Sequence, residues 1–355
     1  MPEGDTIYRT AAALRMALVG RPISCFDAAR LTGPKPGIGR VIERVDSHGK
    51  HLEILFDDGI ILHTHMKMTG SWHLYHHGER WRKNAHQARV IIETDVWVAV
   101  CFNAPIVETY HELDRHRHPG MGKLGPDLCD ENADLPTAIR LLAAYEPSTT
   151  PLAEVLLDQR IACGVGNVYK SEVLFVCGLN PFTPVGVLPP SERVNIIEAC
   201  ARLLRANLHN PERITVADVP GGLAVYGRVG KPCFRCGTTI VAKRHGEHNR
   251  TSYWCPTCQS RGAPESHEAE EHDRDWSSVA REEGAADPHP AAVRYMRDAA
   301  KARAATPSGG LRRNRLQVLE EELEPPPADL GDPLLGHVAF SSDGDENDEN
   351  DDPET

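Results

Sequence analysis

The sequence predicts an α+β multidomain chain: an N-terminal antiparallel β-sandwich with an N-terminal helix, then a helical domain, a four-cysteine zinc finger and an acidic, disordered tail. Three observations predict it. Apolar residues alternate between Arg40 and Phe102, and they return to helical spacing beyond Pro126. Residues 222–262 hold four cysteines in two Cys-x-x-Cys pairs. The corresponding segments are 1–125, 126–221, 222–262 and 263–355.

The first segment opens with Ile7, Ala11, Leu14 and Leu18 at helical spacing. Asp5 or Thr6 is available as N-cap, and Gly20 and Pro22 end the helix. Pro2 and Glu3 then stand at a helix N-terminus, where the macrodipole favours anionic groups. Leu52, Ile54 and Phe56 alternate, Asp58-Gly59 signals a hairpin turn, and Ile60 to His65 is the partner strand. Val90 to Ile92 and Val96 to Phe102 form a second pair around Thr94-Asp95. In the helical domain, Thr137 to Tyr145, Pro151 to Asp158, Asn167 to Val176 and Ser191 to Leu208 are predicted helices. Pro147, Gly164-Val165-Gly166 and Gly178 to Pro184 separate them.

The formal charge of −12 is segregated. Residues 263–355 carry 24 acids against 9 bases, which leaves 27 acids against 30 bases in the first 262 residues. An anionic partner is therefore not excluded for the folded part. The tail is rich in Glu, Asp, Ala and Pro, a composition that cannot build a core, although Ala291 to Ala305 is helix-compatible. No apolar run approaches the ~20 residues of a membrane span, and the start lacks a secretory signal. Of ten cysteines, six are scattered through apolar segments, as expected of a reducing cytoplasm.

Cys233 and Cys236, then Cys255 and Cys258, have the spacing of a closed tetrahedral zinc site, which is structural and performs no chemistry. The alternative is two disulfides or redox pairs. The basic stretch Val241 to Arg250 between the pairs suits phosphate, while a bare zinc ribbon also suits protein or RNA.

Met1-Pro2 is a common start, yet removal of Met1 leaves a secondary amine with an ordinary pKa of about 8. Such an amine attacks an aldehyde-level carbon to give an iminium, an electron sink, and Glu3 is placed to move protons beside it.

Three separated segments resemble the formamidopyrimidine-DNA glycosylase and endonuclease VIII family: Pro2-Glu3-Gly4, the stretch Leu156 to Glu172 containing Gly164-Val165-Gly166-Asn167, and Val225-Tyr226-Gly227-Arg228. The resemblance runs in order from residue 2 to about residue 260. It implies a helix-two-turns-helix domain and one structural Zn2+. It also implies a bifunctional DNA glycosylase and AP lyase of base excision repair, acting on damaged double-stranded DNA as a monomer associated with the nucleoid.

By the same resemblance Pro2 is the nucleophile at the sugar C1′ and Glu3 the proton-transfer group, followed by β- and δ-elimination. Lys50 reaches phosphate and sugar near the lesion, and Met68 fills the gap left by the flipped nucleotide. Asn167 and Lys170 bind DNA, and Arg250 grips phosphate and assists δ-elimination. Each position has a plainer reading: a solvated charge for Lys50, a core methionine for Met68, a helix cap for Asn167 and a surface cation for Arg250.

Two departures stand out. Where the family often has Pro-Glu at positions 5 and 6, this chain has Asp5-Thr6. The segment Phe102 to Glu108 lacks the paired arginines and phenylalanine with which the formamidopyrimidine branch reads the opposite cytosine, so oxidised pyrimidines are the expected substrates. The competing readings are a zinc-containing nucleic-acid-binding protein that has lost catalysis, and a lyase acting mainly on abasic sites. The acidic tail either contacts the DNA groove or a partner protein, or is simply solvated.

Overall fold

The computed structural model describes residues 2–217, 219–247 and 249–262, all within one compact unit. The acidic tail and the helix expected at Ala291 to Ala305 lie outside the described residues. Helix α1, Gly4–Leu18, lays Ile7, Ala11, Leu14 and Leu18 into the core of a β-sandwich. One sheet has the order β1-β6-β7-β5, from Cys25–Asp27, Ala88–Glu93, Trp97–Phe102 and Ser71–His76. The other has the order β2-β3-β4-β8, from Ile42–His48, His51–Phe56, Ile60–His65 and Ile106–His111. All pairings are antiparallel. Leu52, Ile54, Phe56 and Leu62 meet Trp72, Val90, Ile92 and Ala99 in the sandwich core.

Both predicted hairpins form, at Gly59 with φ 76° and at Thr94, whose hydroxyl accepts from Trp97 N at 3.0 Å. Strands β1 and β8 escape the sequence pattern. β1 has only three residues, and the outward face of β8 is polar but covered. There Glu53, His63 and Glu108 stand opposite one another across β3, β4 and β8. Glu108 Oε1 lies 2.8 Å from His63 Nδ1 and 3.0 Å from His118 Nε2, and His63 Nε2 is 2.8 Å from His51 Nδ1. The spacing of His63, Glu108 and His118 is compatible with metal ligation. However, His118 Nδ1 accepts the backbone N–H groups of Gly120 and Met121, which puts its hydrogen on Nε2, facing Glu108. The cluster is thus a hydrogen-bonded tie that holds the 112–121 strap on the sheet.

Two expectations for the helices need correction. Helix α1 is not capped by Asp5 or Thr6. Its N-cap is Glu3, and Asp5 lies inside the first turn with its carboxylate engaged elsewhere. The helix expected over Pro151 to Asp158 shrinks to α3, Leu152–Val155, because the side chains beyond it fix turns. Asp158 accepts from Arg160 N at 3.0 Å, while the Gln159 amide binds Gly164 N, Leu157 O and Val165 O. The remaining helices are α2, Leu135–Ala143, α4, Asn167–Cys177, and α5, Pro190–Ala206. Gly178 ends α4 in the left-handed conformation, φ 67°.

The finger is the hairpin β9, Val241–His245, with β10, Arg250–Trp254. It docks through Tyr253, Ile240 and Val225 onto Phe175 of α4. Among the described residues no helix is long and apolar enough to cross a membrane.

Candidate active site

Glu3 is fully buried, and its carboxylate sits on the N-terminus of α4. Oε1 accepts from Val168 N at 2.8 Å, and Oε2 accepts from Gly166 N at 3.1 Å and Tyr169 N at 3.2 Å. Unpaired N–H groups and the helix dipole favour an anion at this point. The glycines of the Gly164-Val165-Gly166 motif make the approach possible. A Cβ on Gly166 would come within 2.4 Å of the Glu3 carboxyl carbon, and one on Gly4 within 2.8 Å of Gly164 Cα. Gly4 N also donates to Gly164 O at 2.9 Å, so Pro2 is held immediately outside this joint.

Lys50 leaves the β2–β3 turn beside Glu3. Gly49, at φ 56°, donates its N–H to Asp127 Oδ2 at 2.8 Å and packs so tightly on Cys163 that a side chain would not fit. Burial pushes the Lys50 ammonium down to about 8; Glu3 opposes the shift, and Arg250 and Arg213 add to it. Three predicted residues, Lys50, Glu3 and Arg250, therefore share one electrostatic neighbourhood.

Arg250 opens β10, and its Nη1 lies 3.1 Å from Met68 Sδ. Met68 is 42 % exposed in the turn after β4, while Met66, at 2 %, is the core methionine of that segment. Lys67, at φ 44°, sets this tight turn. Asn167 Oδ1 accepts from Lys170 Nζ at 2.6 Å, whereas its buried Nδ2 has no partner among the described residues.

Lys170 departs from expectation. It is 0 % exposed, one helical turn beyond Asn167 on the face toward the finger. Its Nζ joins Asn167 Oδ1 to Thr251 O, the latter at 3.1 Å, so it orients Asn167 and β10 from behind and presents no charge at the surface.

Two further residues were missed as site residues. Glu172, fully buried, accepts from Ala224 N at 2.7 Å, from Val225 N and Tyr226 N at 2.9 Å, and from the Thr215 hydroxyl. It thereby ties the finger's entry to α4. Glu172 and Val225-Tyr226 both lie in the recognised motifs, but nothing in the motifs shows that they touch. Arg213 pairs with the buried Asp5 and carries no motif signal at all.

The four finger cysteines are free thiols that converge within 4.8 Å of one another. Cys233 Sγ is 3.9 Å from Cys258 Sγ, and Cys236 Sγ is 3.4 Å from Cys255 Sγ. The edge of a tetrahedron of thiolates around zinc is about 3.8 Å, so the set fits the ion.

Three family profiles match in chain order: the formamidopyrimidine-DNA glycosylase N-terminal domain over 1–105, its H2TH domain over 124–217, and the zinc finger found in FPG and IleRS over 230–261. The "Probable endonuclease 8 2" of Streptomyces coelicolor is 39% identical over 274 residues, covering 74% of this chain and 96% of that protein. The chain belongs to the formamidopyrimidine-DNA glycosylase and endonuclease VIII family.

Within the family, the "DNA-(apurinic or apyrimidinic site) lyase Nei2" of Mycolicibacterium smegmatis is 40% identical over 264 residues, covering 73% of this chain and 99% of that protein. The crystal structure of MutM (Fpg) from Thermus thermophilus aligns with TM-score 0.62 at 29% identity, over 74% of this chain and all of that one. The sandwich, the helix-two-turns-helix domain and the four-cysteine finger are the family's architecture, and the finger holds one structural zinc through Cys233, Cys236, Cys255 and Cys258.

Proposed function

We propose that this family member is a bifunctional DNA glycosylase and AP lyase of base excision repair whose nucleophile is the Pro2 amine released by removal of Met1. The observation that carries this reading is the Glu3 carboxylate, locked on the α4 N-terminus directly behind Pro2. Attack of the Pro2 nitrogen on C1′ of a flipped nucleotide expels the base, which takes up a proton; the new C–N centre loses the amine proton, and the C1′–O4′ bond then breaks, with O4′ protonated, to leave a ring-opened iminium. Loss of the C2′ proton then expels the 3′ phosphate, and a second elimination removes the sugar. Glu3 moves protons at the sugar. Lys50, Asn167, whose buried Nδ2 has no partner among the described residues, and Arg250 bind the flanking phosphates, and Met68 enters the vacated stack.

Oxidised pyrimidines are the proposed lesions, because Phe102 to Glu108 lacks the reader of the opposite cytosine. A second reading, a lyase working mainly on abasic sites, is favoured by the 40%-identical relative, which is named as such a lyase. Borohydride trapping decides. The Met1-processed protein is expected to form a covalent adduct with both thymine-glycol and abasic duplexes. An adduct with the abasic duplex alone supports the lyase reading. Equal trapping after the amine is acetylated refutes the proline mechanism.

Lys50 gives a pH signature. It is cationic below about 8 and neutral above, so affinity for an abasic-analogue duplex should weaken between pH 7 and 9. Lys50→Arg should shrink that pH step to the part contributed by the Pro2 amine, as read by fluorescence anisotropy. The protein is proposed to act as a monomer, with residues 263–355 competing for its basic DNA groove. Truncation after Gly262 is then expected to raise DNA affinity, and unchanged affinity would refute the competition.

A further inference from the structure

We propose that Arg213, in the segment between α5 and the finger, is a positioning residue that aligns Pro2 and Glu3 by clamping α1 to α4 through Asp5 and Tyr169. The inference rests on the proline mechanism above and concerns residues that the family resemblance does not assign.

Asp5 is fully buried in the first turn of α1, two residues after Glu3. The Arg213 guanidinium grips it with both arms, Nε to Oδ2 at 3.0 Å and Nη2 to Oδ1 at 2.6 Å, and Nη2 also reaches Thr6 Oγ1 at 3.2 Å. Only 14 % of the Arg213 side chain is exposed, so this bidentate pair is shielded from water and directionally strict. The same guanidinium lies over the Tyr169 ring, its Cζ 4.9 Å from the ring centre. Tyr169 belongs to α4, and its backbone N–H is one of the three donors that seat the Glu3 carboxylate. One cation thus joins the helix that carries Glu3 to the helix that receives it.

Arg213 is itself held. Asn207 accepts from Ile214 N at 2.7 Å and donates to Ile214 O at 3.0 Å, which fixes the neighbouring residue. Arg9 donates to Asn207 O at 2.5 Å and also approaches Asp5 Oδ2, at 3.4 Å. Gly222, at φ 71°, closes the loop where a Cβ would sit 3.0 Å from Arg213 O. Asp5-Thr6 is therefore the docking half of the clamp, and Arg213 is the other half.

A buried ion pair that only stabilises the fold would lower the melting temperature and leave chemistry untouched. The test is single-turnover borohydride trapping on abasic duplex at saturating protein, well below the melting temperature, with duplex affinity measured separately. Arg213→Met is expected to slow trapping by about 10²-fold with less change in affinity, the size of effect that a small misplacement of reacting groups causes. Arg213→Lys keeps the charge but loses the fork and is expected to fall between Arg213→Met and wild type. Asp5→Asn combined with Arg213→Met should be no slower than Arg213→Met alone, since the two act as one unit. A folded Arg213→Met that traps at the wild-type rate overturns the clamp. If that variant does not fold, a wild-type rate for Arg213→Lys overturns it. A wild-type protein that forms no adduct refutes the proline mechanism and the clamp with it, whereas unimpaired variants of an active wild type refute the clamp alone.

Discussion

Glu3→Gln is expected to cut base release by about 10²–10⁴-fold, the usual worth of a positioned proton-transfer group. The substitution is nearly isosteric, so the effect is chiefly one of chemistry. The Gln carbonyl can still accept from Val168 N, the closest donor at 2.8 Å. Its amide NH2, however, would face Gly166 N and Tyr169 N, which are donors themselves. Two buried N–H groups would then lack an acceptor, at about 1–3 kcal/mol each. The variant should consequently melt earlier as well as react more slowly. Single-turnover release from a thymine-glycol duplex, compared with trapping on a preformed abasic site, separates proton transfer to the base from attack by Pro2. Base release at the wild-type rate would remove Glu3 from the mechanism.

Glu172→Ala is expected to be the most destabilising single change outside the sandwich core. It orphans the N–H groups of Ala224, Val225 and Tyr226 together with the Thr215 hydroxyl. At about 1–3 kcal/mol for each buried donor, the loss is at least about 3 kcal/mol, or a melting shift of roughly 10 °C for a domain of this size. Glu172 also fixes where the finger docks on α4, so Arg250 should lose its place opposite Met68 and DNA affinity should fall with stability. Thermal unfolding and anisotropy on the same preparation check both halves. A melting temperature within about 2 °C of wild type would show that water satisfies these donors.

Much of the architecture was legible because it rests on local signals. Period-two alternation marked β3, β4, β6 and β7, glycine and aspartate marked their turns, and cysteine spacing marked the finger. Strand β8 was not legible, since its outward residues Ile106, Glu108 and Tyr110 form no apolar alternation. They become a strand by pairing with β4, and a strap from residues 112–121 that only the fold brings over them covers their outward face.

The site divides the same way. Pro2, Glu3, Lys50 and Arg250 were readable as motif residues. The direction in which a side chain leaves its helix was not, and Lys170 turned out to face inward. Asp5 reads from the sequence as a helix cap, because its partner Arg213 is 208 positions away and no periodicity links them. Buried pairs between distant, solitary charges leave no trace in a single sequence.

The placement of Glu3 has a consequence for the order of events in the life of the chain. The N–H groups that seat Glu3 belong to residues 166, 168 and 169, at least 163 positions later in the chain. Until those residues have been made and folded, the nascent chain carries its amine and its acid with nothing to hold them. Under the proline mechanism proposed above, the capacity to break a DNA strand is therefore withheld until synthesis has passed residue 169, and a sandwich released early is inert.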